Sequence, residues 1–150
     1  MQRSTQAYTF SQFCEKVRRY CAYQERCHKE VRQKLIELGA DAQMSGQVLV
    51  QMVEENFLNE ERFARAFAGG KFRQKRWGRM KITRELQMRE ISPYCIRAAL
   101  TEIADEDYMH TLRVELEKLQ GKKSMKQYAV QYNIDKSLIS NGFEPDMVWA

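Results

Sequence analysis

Apolar residues recur at intervals of three and four along the whole chain, and no strict alternation lasts beyond a few residues. That is the period of amphipathic helices rather than strands. Phe10, Phe13, Cys14, Val17, Tyr20 and Cys21 predict a first helix, with Ser11 as its cap and Glu15 in its first turn. Cys27, Val31, Leu35 and Leu38 predict a second, closed by Gly39. Asp41 caps a third that carries Met44, Val48, Leu49, Met52 and Val53. The pattern then restarts. Asn59 caps a helix with Phe63, Ala64, Phe67 and Phe72 on one side, and the next begins near Gly78 and carries Ile82 and Leu86. Ser92-Pro93 pairs a capping residue with proline at the first helical position, opening a helix with Ile96, Ala99, Leu100 and Ile103. From Asp105 or Asp107 the stripe is Tyr108, Leu112, Leu116 and Leu119, with a break at Gly121-Lys122-Lys123-Ser124. A further helix holds Ile134 and Leu138 and ends at Asn141-Gly142. Glu144-Pro145 opens a last short one with Val148 and Trp149.

These elements repeat. Val31/Leu35 returns as Ile82/Leu86 and again as Ile134/Leu138, first 51 and then 52 positions on. Five residues after each leucine stand Ala40, Ile91 and Phe143, and Ser92-Pro93 aligns with Glu144-Pro145. Ala99, Leu100 and Ile103 occupy the offsets that Val48, Leu49 and Met52 occupy earlier. The expected fold is all-α: three tandem three-helix repeats of about 50 residues, at 8–57, 58–104 and 105–150. A unit that small buries little surface alone, so the repeats are expected to pack together into an elongated, curved array.

Composition narrows the function. At 43% hydrophobic and 30% charged, the 150-residue chain has enough apolar material for a core, which excludes wholesale disorder. No apolar run is long enough to cross a bilayer, and Met1-Gln2-Arg3-Ser4-Thr5 opens no secretory signal. A cytoplasmic monomer is expected, with Cys14, Cys21, Cys27 and Cys95 as free thiols. Cys21, Cys27 and His28 lack the close paired spacing of a zinc site, and His28 and His110 lie far apart without a nucleophile to serve. Glu54-Glu55 and Glu60-Glu61 could bind a divalent ion, but acidic helix starts explain them more simply. No phosphate-binding glycine loop is present. The reading is therefore no catalytic residue, no metal and no cofactor.

Charge is the informative feature. The net charge is +5, yet residues 71–89 alone hold eight basic side chains against the single acid Glu85. Five acids and no Lys or Arg fall between Asp41 and Glu61, and Glu102, Asp105, Glu106 and Asp107 form a second acidic cluster. A concentrated basic zone flanked by acidic ones suits a polyanion. Its candidate contacts are Lys71, Arg73, Lys75, Arg76, Arg79, Lys81 and Arg84. With Ile82 and Leu86 turned inward, Arg79, Lys81 and Arg84 are expected to face out. The amino end of that helix would add amide groups for phosphate. Trp77, just before Gly78, is read first as a core plug and second as a surface on which a base stacks. Nothing in the zone reads base sequence, so DNA contact is expected along the backbone.

The same stretch carries a family likeness. Leu58-Asn59-Glu60-Glu61-Arg62-Phe63-Ala64, then Lys71-Phe72-Arg73, then Trp77-Gly78-Arg79-Met80-Lys81-Ile82 with Glu85-Leu86, resembles the central repeat of the RecX family. These are bacterial regulators of the recombinase RecA. The resemblance implies three tandem three-helix repeats and binding to RecA filaments on single-stranded DNA. It also implies restraint of filament extension, ATPase and strand exchange in the control of DNA repair, recombination and the SOS response. Three positions depart from the family pattern: Glu60 for Asp, Glu90 for a glycine that closes the middle helix, and Asn141 for Arg. A left-handed Glu90 would cost about 1 kcal/mol, which predicts a remodelled turn there. Asn141 removes a basic contact expected from the third repeat. The competing class is a stand-alone helix-turn-helix DNA-binding module.

Overall fold

Capping side chains mark where four of the helices begin. The computed structural model describes residues 8–121 and 127–149, with 127–132 by backbone alone. Met1–Thr5 and the Lys122–Ser124 part of the expected break lie outside the described residues. Helix α1 (Phe10–Tyr23) starts at Thr9, not Ser11. Thr9 Oγ1 accepts from the Gln12 amide at 3.2 Å while the Thr9 amide donates to Gln12 Oε1 at 2.8 Å. This reciprocal box satisfies two otherwise orphaned donors, which Ser11, already inside the helix, cannot do. Asp41 caps α3 (Ala42–Glu54) through the Met44 amide at 2.8 Å. Asn59 caps α4 (Glu60–Lys75) through the Arg62 amide at 2.9 Å. Ser92 caps α6 (Pro93–Leu100), with Pro93 in its first turn. The remaining helices are α2 (His28–Glu37), α5 (Arg79–Met88), α7 (Asp105–Gln120), α8 (Gln127–Ser140) and α9 (Pro145–Val148). All regular structure among the described residues is helical.

The chain forms two compact units. One runs to Phe63 and takes in Arg89–Ile91. Its core is Phe13, Cys14, Val17, Cys21, Val31, Leu35, Val48, Met52 and Leu58, where α1, α2 and α3 pack mutually. The other comprises Ala64–Met88 and the chain from Ser92. There Ile82, Leu86, Ile96, Ala99, Tyr108, Leu112, Ile134, Leu138 and Phe143 are buried. All six members of the repeating apolar pairs are therefore in a core. Phe67 and Leu100, on the apolar stripes expected for the middle group, are only half-buried, and Ala68 and Ala99 hold the buried positions beside them.

The backbone keeps the same period. Gly39, Glu90 and Gly142 adopt left-handed φ values of +93°, +60° and +99°, each just beyond a helix end. The turn at Glu90 is not remodelled around its side chain. Glu90 takes the conformation a glycine would take and offsets part of the roughly 1 kcal/mol strain by pairing its carboxylate with Arg32.

Candidate functional site

The basic candidates lie on two helices and the turn between them. Lys71, Arg73 and Lys75 occupy the last turns of α4, and Arg79, Lys81 and Arg84 lie on α5. Arg76 ends α4 in a left-handed conformation (φ +54°), and Trp77 and Gly78 bridge to α5.

Two of the seven are held in place by acids. The Arg79 guanidinium reaches Asp105 Oδ1 at 2.6 Å and Glu144 Oε2 at 3.2 Å, and lies 3.8 Å over the ring of Tyr108. Its side chain is only 24% exposed, so Arg79 does not face freely outward as its helical position suggested. Arg76 Nε meets Glu115 Oε1 at 3.1 Å. Tyr108 is fully buried between Phe72 and Phe143 at ring-centroid distances of 5.8 and 5.3 Å. Its hydroxyl accepts from the Arg79 amide at 2.9 Å and donates to Glu144. Burial first, and the Glu144 carboxylate second, push that hydroxyl's pKa well above the ordinary tyrosine value.

The amino end of α5 is also occupied. The Gly78 amide donates to the Asn141 carbonyl at 2.8 Å, and the Met80 amide to the Gly142 carbonyl at 3.0 Å. With Arg79 on Tyr108, three successive leading amides have protein acceptors, so they are not offered to a phosphate. This overturns the helix-end phosphate site expected from the sequence. Side-chain absence at Gly78 makes it possible: a Cβ there would overlap the Gly142 carbonyl and the Phe143 amide nitrogen. Asn141 has a task of its own, since its Nδ2 donates to the Arg76 carbonyl at 2.7 Å. Tyr108, Asn141 and Glu144 were missed as site-shaping residues because they stand 29 to 65 positions from their partners. Helical periodicity carries no information over that separation.

Five cations remain around the turn. Lys71 Nζ and Lys81 Nζ lie 5.0 and 4.6 Å from the centre of the Trp77 ring, with Lys71 also 5.5 Å from that of Phe67. Trp77 meets Phe67 edge-on at 6.1 Å and is half-buried. It is thus only partly the expected plug. Arg73 folds back over Gly69. Arg73, Lys75 and Arg84 are exposed and enter no ion pair among the described residues.

All four cysteines are buried free thiols, and burial pushes Cys21 and Cys27 up to about 11. Cys21 and Cys27 stay protonated and poorly nucleophilic near neutral pH. No cluster of metal-ligating side chains occurs among the described residues. No helix there is long and apolar enough to cross a membrane.

Comparison with known proteins singles out the same segment. Residues 59–100 match the family model described as RecX, second three-helix domain. The regulatory protein RecX of Halalkalibacterium halodurans is 25% identical over 130 residues, covering 86% of this chain and 49% of the relative. That of Lactobacillus gasseri is 29% identical over 131 residues, covering 85% and 48%. The chain thus spans about half the length of these relatives. Among solved structures, RecX from Lactobacillus salivarius superposes with a TM-score of 0.83 at 22% identity, over 93% of this chain and 91% of that one. A crystal structure of regulatory protein RecX gives 0.84 at 16% identity, over 92% and 68%. At those identities the superpositions establish a shared fold.

Proposed function

This chain belongs to the RecX family, whose second three-helix domain it carries at residues 59–100, and we propose that it regulates the recombinase RecA. It binds RecA filaments on single-stranded DNA and restrains their extension and ATPase. It acts by occupancy in the cytoplasm, as a monomer without an active site, metal or cofactor. The match at 59–100 carries this reading, because that segment also holds the basic zone.

Three tandem three-helix repeats, divided near 57 and 104, form the body. The recurring left-handed positions at 39, 90 and 142 support that division. The contact surface is the set Lys71, Arg73, Lys75, Lys81 and Arg84, directed at DNA phosphates or acidic recombinase surface. Arg76 and Arg79, predicted contacts as well, shape the turn through Glu115, Asp105 and Glu144. Blocking follows from bulk: a body lodged along the filament prevents addition of the next subunit or holds neighbours out of their hydrolytic arrangement.

A stand-alone helix-turn-helix module is less well supported. A recognition helix reads base edges with its first residues, and here that end of α5 is engaged with residues 141–144. The discriminating experiment is a titration of the protein into RecA's DNA-dependent ATPase. A filament regulator inhibits well below one molecule per recombinase subunit, whereas a plain DNA binder inhibits only when it coats the DNA.

A further inference from the structure

Lys71 and Lys75 stand four residues apart on α4, and Lys81 and Arg84 three apart on α5, so each pair shares a helix face. One member of each pair reaches the same aromatic ring, Lys71 and Lys81 both lying within 5.0 Å of the Trp77 centroid. None of these four cations is in an ion pair among the described residues. An indole that served only to fill a core would be covered by apolar side chains. Trp77 is half-buried, meets Phe67 by an edge and has two ammonium groups over its ring.

We infer that Trp77 is a stacking platform for single-stranded nucleic acid: one base lies on the indole, and the phosphates on either side meet Lys71 with Lys75 and Lys81 with Arg84. The inference deepens the proposed contact surface and rests on that reading for its biological setting. Relative strengths favour the exchange. Each of the two exposed cation–π contacts is worth at most about fivefold in an equilibrium, while stacking a base on an aromatic side chain is worth roughly fivefold to 150-fold in affinity. The displaced ammonium groups lose little, because the incoming phosphates supply stronger partners. Every base has a π-face, so the strip is indifferent to sequence. A duplex keeps its bases stacked on one another, so the strip selects single strands.

Trp149 is the only other tryptophan, so Trp149→Phe makes Trp77 the sole indole reporter. That protein is titrated at low salt with a dye-labelled oligothymidylate, and then with a duplex of equal length. Indole emission reports stacking and dye anisotropy reports binding. The expected result is quenching in step with single-strand binding and no quenching by the duplex. Trp77→Leu should weaken single-strand binding roughly fivefold to 150-fold at fixed salt, with the salt slope unchanged. Trp77→Phe should retain part of the affinity, and with the quenching it decides the matter if Trp77→Leu does not fold. Binding without quenching, Trp77→Phe and Trp77→Leu equal to their parent, or no single-strand binding at all would each overturn the stacking inference. The recombinase ATPase assay, run on the same protein, judges the regulatory reading separately.

Discussion

Gly78 and Gly46 are the same residue in opposite situations. Adding a methyl at Gly78 drives it into the backbone of Gly142 and Phe143, which cannot step aside as a flexible side chain would. Gly78→Ala should destabilise the protein by about 1–3 kcal/mol or more. Gly46 lies inside α3 with nothing within 4 Å of an added Cβ, so Gly46→Ala should stabilise by roughly 0.5–1 kcal/mol. Urea melts of both variants check the pair. His28 gives a pH-dependent counterpart. Its Nε2 is enclosed without a hydrogen-bond partner among the described residues. Burial lowers its pKa most, Glu60 opposes this and Arg32 adds to it. The folded protein therefore binds a proton at His28 less readily than the unfolded chain, which takes one up near the ordinary value of about 6.5. More protons bound when unfolded means that stability falls as pH drops through that window. The urea midpoint should decrease on going from about pH 7.5 to about pH 5.5, and His28→Gln should flatten that dependence. The apolar side of this chemistry was legible in advance: Phe63, Ile82 and Leu86 are buried as their spacing predicted. The polar side was not. Burial of Tyr108 follows from its helical stripe, but nothing local announces that its hydroxyl joins Arg79 to Glu144.

At the level of elements, α5 divides its charges between structure and contact. Arg79 and Arg84 look equivalent in the sequence, both basic and both near Ile82 and Leu86. The structure separates them, since Arg79 is enclosed by Asp105, Glu144 and Tyr108 while Arg84 is exposed. Arg79→Glu would set a third carboxylate beside two others. Its cost should fall between the about 0–1 kcal/mol of an exposed pair and the about 3–5 kcal/mol of breaking a buried one. Arg84→Glu should change stability by less than about 0.5 kcal/mol yet weaken DNA or filament binding. Thermal melts beside binding titrations of the two variants test this division; equal melts would mean that the Arg79 cluster contributes nothing. Helix identities and most caps were readable because they are local: Asp41, Asn59 and Ser92 each bond an amide three residues on. The cap of α1 is Thr9 rather than Ser11, and the reciprocal glutamine at position 12 that marks it is visible in the sequence. The occupied amino end of α5 was not readable, because its acceptors come from residues 141 and 142, brought there only by tertiary packing.

For the whole molecule, the basic zone is what links fold to proposed activity, and the salt dependence of binding measures how much of it is used. Each phosphate neutralised on a single strand contributes a slope of about 0.7. Changing Lys71, Lys81 and Arg84 together to Glu should therefore weaken binding and flatten that slope. The most direct test of the regulatory role is the single-stranded-DNA-dependent ATPase of RecA from the same organism, titrated with this protein and with that triple variant. The account predicts inhibition by the natural chain at substoichiometric amounts, and a marked loss of inhibition in the folded variant. ATPase left unchanged when the natural chain is present at one molecule per RecA subunit would contradict it.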